Sequence, residues 1–272
     1  MNIVTDFLSY GFLQRALVAG VFVAIACAIL GVFLILRRDS MIGHGLAHVT
    51  FAGIAIGLLL DLMPIAVATG VAVITALGIM KLKERAGLYG DTAIAIFSSV
   101  GFAVGIMIVS LAQGFNVDLF GYLFGEILAI DAFEVSFSVG LALIVVIIII
   151  LNYHKFMYMT FDRESAKVSG VRVQRLDVLL TVLTAVTVVL GMKIVGLLLV
   201  AALLVIPAAT GLQIASNFKQ AIVLSSLVSL VSVVSGLILA FSLDFPASGT
   251  IVCLSFVFFL IFFLAKRGKR YL

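Results

Sequence analysis

The sequence predicts an all-α fold, a polytopic transmembrane bundle of about nine crossings, on three observations. Hydrophobic residues make up 64% of the 272 and charged residues only 11%, too little polar surface to wrap a water-soluble core. The apolar residues fall into long runs close to the roughly 20 residues a helix needs to cross a hydrocarbon layer of about 30 Å. The basic residues sit in alternate gaps between those runs, which is how cytosolic connections are marked.

In chain order the apolar runs cover residues 10–36, 44–60, 64–80, 92–112, 132–152, 176–191, 194–212, 220–242 and 247–265. The first has no basic segment before it and no small-residue cleavage site after it, so it reads as a retained helix and not a signal peptide. Arg37 and Arg38 follow the first run, Lys81, Lys83 and Arg85 the third, and Lys155, Arg163, Lys167, Arg172 and Arg175 the fifth. Lys219 and the tail Lys266, Arg267, Lys269 and Arg270 complete the set. The other gaps carry Asp61, Asp118, the Gly191–Lys193 corner and Asp244. An odd number of crossings, with the amino end outside and the carboxyl end in the cytosol, puts every basic cluster inside. Residues 1–272 therefore read as a single transmembrane domain. The weakest boundary is Gly191–Gly196, where Lys193 must sit at an interface or snorkel to it.

Two connections exceed what a turn requires. Residues 113–131 hold an apolar segment around Leu119–Gly125, too short to span, which predicts a short extracellular helix. Residues 153–175 are polar and predict a cytosolic helix that a soluble partner could grip.

The net charge of +4 comes from helix ends, so nucleic-acid binding is excluded as its explanation. Cys27 and Cys253 lie inside distant apolar runs, which argues against a disulfide framework or a thiolate metal site. Gly53/Gly57 and Gly101/Gly105 are spaced for close helix approach, within one bundle or at a dimer seam. Pro207 interrupts the seventh run and should kink it, either for packing or to line a pathway.

Two of the three histidines, His44 and His48, open the second run. Four residues apart on a helix, their imidazoles share one face and can reach one ion. Imidazole suits zinc and similar borderline metals, and a histidine must be neutral to bind one. His48 falls roughly 10 Å into the helix at 1.5 Å per residue. The alternative is a polar seam in which the rings only hydrogen-bond. The same spacing occurs in the H-E-x-x-H metalloprotease motif, but Gly45 stands where the glutamate base would be. His154, in the basic connection, reads as solvated. Asp61, Asp118 and Asp244 fall at outer helix ends, where solvation or a cation-attracting vestibule would account for them, and Glu126 lies in the short apolar segment.

Three stretches resemble the zinc and manganese permeases of ATP-binding-cassette importers. Residues 37–48 are similar to that family's arginine, serine, Gly-Asp-x-x-x-His entry to the second helix. Asp118–Gly125 resembles its D-L-x-x-Y-L-F-G segment, and Lys193–Gly196 through Ile206–Thr210 its K-x-V-G…I-P-A-A-T helix. The likeness spans essentially the whole chain and implies an importer permease in a bacterial plasma membrane. It also implies a homodimer, two ATPase subunits inside and a metal-binding protein outside. The family's metal-path histidine corresponds to His48 and its aspartate to His44, a softer, neutral pair that favours Zn2+ over Mn2+. The segment with Asp162, Glu164, Ala166 and Gly170 is similar to the coupling helix that docks on the ATPase. No G-x-x-x-x-G-K-[ST] loop occurs, so this chain is no ATPase and ATP would be hydrolysed by a partner. Departures include Ser248-Gly249 where the family has Gly-Pro after the last loop's proline. A manganese or iron importer of the same type, or a proton-coupled secondary transporter, are the alternatives.

Overall fold

The computed structural model describes residues 9–86, 90–111 and 132–268. The predicted segment 113–131, with Asp118 and Glu126, falls within the stretch outside those residues, as do Lys269 and Arg270. Among the described residues the chain is helical throughout: α1 Gly11–Leu36, α2 Ile42–Leu59, α3 Pro64–Ala86, α4 Gly90–Leu111, α5 Ala132–Leu151, α6 Tyr153–Phe161, α7 Arg163–Val168, α8 Val173–Val195, α9 Leu197–Ile214, α10 Phe218–Leu243 and α11 Ala247–Gly268. All but α6 and α7 are long and apolar enough to cross a membrane, which gives nine crossings among the described residues.

In lipid, apolar contact alone gives helices little reason to associate, so small residues that admit close packing decide which helices sit at the centre. Helix α1 buries Ala16, Ala19, Gly20, Ala24, Ala26, Ala28 and Gly31 and packs against α5, α8, α9 and α10. Helix α2 buries Gly43, Gly45, Ala47, Ala52, Gly53, Ala55 and Gly57 between α3 and α4. Helices α4 and α11 lie at the periphery and turn apolar side chains such as Ile106, Met107, Ile261 and Leu264 outward, as a lipid-facing surface requires.

The glycine pairs pack this one bundle. A Cβ on Gly53 would lie 2.6 Å from the Ala68 backbone of α3, and one on Gly101 would lie 2.9 Å from the Val49 backbone of α2. Polar side chains inside the bundle turn to backbone carbonyls: Thr50 and Thr184 donate to the residue one turn earlier, and Ser229 of α10 donates to the Ala24 carbonyl of α1 at 3.0 Å. Pro207 is accommodated inside α9 without ending it, and is buried.

The boundary expected at Gly191–Gly196 falls at its far end. Helix α8 runs on through Lys193 to Val195, and the break comes at Gly196, whose φ of +89° lies in the region that favours glycine. Lys193 lies within the helix and pairs there with Glu134 of α5, which offsets its charge at that depth. Asp61 and Asp244 have φ of +55° and close the turns after α2 and α10, a local role that aspartate tolerates better than most residues. Cys27 is buried, Cys253 exposed, and neither forms a disulfide.

Candidate functional site

Helix α2 begins at Ile42, so His44 lies in its first turn and His48 one turn deeper. The rings stand edge to face with centroids 4.6 Å apart, and the two Nε2 atoms face each other at 3.2 Å. Two nitrogens bound at about 2.05 Å to one tetrahedral ion would be about 3.3 Å apart, so the pair is spaced as two ligands of a single metal ion. The same distance accommodates one N–H···N hydrogen bond when both imidazoles are neutral. His44 is exposed on the helix face, and His48 is half-buried against the Phe102 ring of α4, with centroids 5.0 Å apart. The Nδ1 of His48 is buried and has no hydrogen-bond partner among the described residues.

What the pair lacks is equally informative. No group of three or more His, Cys, Asp or Glu side chains converges among the described residues, so His44 and His48 stand there as a pair on an open face, unlike a closed four-ligand zinc site. Residue 45 faces α4, where a Cβ would lie 2.5 Å from Ile94, which leaves no room for the carboxylate base of a protease.

The second cluster is the segment between α6 and α8. Asp162 caps α7, accepting from the Ser165 backbone N–H at 2.9 Å and from the Ser165 hydroxyl. These bonds favour the ionised form and hold the Asp162 carboxyl below its usual range. The lowered folded-state value means the cap's contribution is present above the ordinary carboxylate range and is lost as pH falls below it, so it is intact near neutrality. Glu164 is 80% exposed and pairs with Lys167 at 2.8 Å. Gly170 ends the turn with φ of +81° and is exposed, whereas Ala166 is fully buried and seats the helix from beneath. Asp162, Glu164 and Gly170 thus share the outward surface of the segment, and Ala166 does not. His154 is exposed on α6, as its place in the basic connection predicts.

Three features of the site were not read from the sequence. Phe102 covers His48, Glu134 neutralises Lys193, and Asp177 of α8 is buried beneath Arg37 and Arg163. Only Asp177 left a trace, as a carboxylate just after Arg172 and Arg175 at the start of an apolar run.

Residues 9–266 match the sequence profile described as the ABC 3 transport family. The chain belongs to that family. It is a multi-pass protein of a bacterial plasma membrane and a transport subunit. Among its relatives is the manganese transport system membrane protein MntC of Halalkalibacterium halodurans, 32% identical with 96% of this chain and 90% of the relative covered. Another is the high-affinity zinc uptake system membrane protein ZnuB of Haemophilus influenzae, 31% identical with 93% and 97% covered. The structure of PsaBC from Streptococcus pneumoniae in complex with Fab superposes with a TM-score of 0.86, at 32% identity over 96% of this chain and 94% of that one.

Proposed function

We propose that the chain is the permease subunit of an ATP-driven importer of divalent transition-metal ions, with zinc the preferred cargo. It would work as a homodimer with two ATPase subunits in the cytosol and a metal-binding protein outside. The observation that carries this reading is the 3.2 Å separation of the His44 and His48 Nε2 atoms on an open helix face. Two neutral imidazoles grip an ion less firmly than a closed site does, which suits a conduction step that must also release it. Water, or the same pair on a second copy, would complete the ligand shell. Relatives named for manganese favour a second reading, a manganese importer of the same type.

Competition distinguishes the two. In vesicles holding the full complex, a tenfold excess of manganese should leave zinc uptake largely intact. His44→Asp supplies a harder oxygen ligand and should shift the zinc-to-manganese uptake ratio at least tenfold toward manganese. A ratio unmoved by that substitution would remove His44 from selectivity. Uptake without ATP or the ATPase, driven by a proton gradient, would favour a secondary transporter instead.

The sidedness has its own test. With Cys27 and Cys253 replaced, a single cysteine at Ser165 should react with an impermeant thiol reagent only from the cytosol, and one at Met63, which is 77% exposed, only from outside. Reaction of both from the same side would end this topology.

A further inference from the structure

The carboxylate of Asp177 is 3% exposed and shared between two arginines. Arg37 Nη2 donates to its Oδ1 at 2.6 Å, and Arg163 Nη2 lies 2.6 Å from its Oδ2. Arg163 is the first residue of α7, the outward-facing segment, while Arg37 is the C-cap of α1 and enters the loop to α2. In that loop Arg37 Nε approaches Asp39 at 4.0 Å, Lys83 of α3 pairs with Asp39, and the Asp39 carbonyl accepts from Ile42 N, the first residue of α2. His44 follows two residues later.

The geometry points to Asp177 as a positioning residue that transmits movement of α7 to the ion-bearing helix α2. This rests on the reading of α7 as the segment that docks on the ATPase. Stability alone is a poor reason to bury such a network, because well-packed apolar residues commonly serve as well as a buried ion pair. Arg38, between Arg37 and Asp39, sits at φ of +59°, a left-handed conformation that a non-glycine residue adopts at a cost, so the loop is held where free chain would not rest. A cavity of about 260 Å³, lined by Arg37, Asp39, Lys83, Arg163, Asp177 and Thr181, gives the guanidinium groups room to re-pair. Among the described residues of that lining, Arg37, Lys83 and Arg163 face Asp39 and Asp177, so displacing Arg163 changes the balance felt by Arg37. The loop then has two pairings to choose between, the kind of bistable element that coupling requires.

The test is the number of ions moved per ATP hydrolysed, in vesicles containing the permease, its ATPase and the binding protein, with radioactive zinc as probe. Asp177→Asn should assemble and hydrolyse ATP yet move at least tenfold fewer ions per ATP, and Asp177→Glu should recover most of the loss. Arg37→Gln, which leaves Asp177 paired with Arg163, should act in the same direction even if Asp177→Asn folds poorly. The double variant should be no worse than the more affected single one, because the links act in series. An unchanged ratio in Arg37→Gln, or a loss that follows thermal stability and is not restored by Asp177→Glu, would overturn the relay. Glu164→Lys run alongside separates the two claims. Lost assembly in that variant with an unchanged ratio in Asp177→Asn overturns the relay alone. Normal assembly in it with an unchanged ratio overturns docking and relay together.

Discussion

Replacing His48 with alanine should reduce metal-ion uptake by at least a hundredfold while the folded complex survives. On the proposed reading the substitution removes one of the two candidate ligands, His44 and His48, and a hundredfold loss corresponds to about 2.7 kcal/mol of transition-state stabilisation. Packing is much less affected. The ring is half-buried and meets Phe102 edge to face, a contact worth on the order of 1 kcal/mol, and its Nδ1 leaves no hydrogen-bond partner behind among the described residues. The uptake assay should therefore be paired with a melting curve of the purified permease. A shift of a few degrees with uptake at background fits a ligand role. Near-normal uptake, or wholesale loss of the folded protein, does not.

Glu164→Lys should produce the other large effect, a loss of at least tenfold in coupled ATP hydrolysis or in recovery of the assembled transporter. The side chain is 80% exposed, and its pair with Lys167 is an i,i+3 contact worth about 0.3 kcal/mol, so the permease itself should scarcely notice the change. A reversed charge on a surface that meets a soluble partner acts on association, where like-charge contacts cost far more than the lost pair. Copurification of the ATPase with the variant, at several salt concentrations, measures it. Recovery at high salt would identify electrostatic repulsion, and wild-type recovery at all salts would place the contact elsewhere.

The crossings were legible because each is a local property: a run of apolar residues announces its own span. The histidine pair was legible for the same reason, since spacing by four on a helix fixes a shared face without help from the rest of the fold. Where the sequence was silent, the partner was distant. Lys193 read alone does not show where it is neutralised, and its partner is Glu134, 59 residues earlier, while α8 continues to Val195. Asp177 is the stronger case, because Arg37 reaches it across 140 residues of chain. Ala166 shows the reverse difficulty. Its place in the motif suggests a surface contact, while its burial assigns it to seating α7. The glycine spacing predicted close approach but left the neighbour undetermined, and the short distances to α2 and α3 supply it.

Zinc uptake by the His44→Ala/His48→Ala variant tests the central claim most directly. The measurement is ATP-dependent accumulation of radioactive zinc in vesicles, with the ATPase and binding protein present and assembly verified by size-exclusion chromatography. The pair as the essential membrane-embedded contact for the ion predicts accumulation no higher than in vesicles without ATP. Accumulation at the wild-type rate would contradict it.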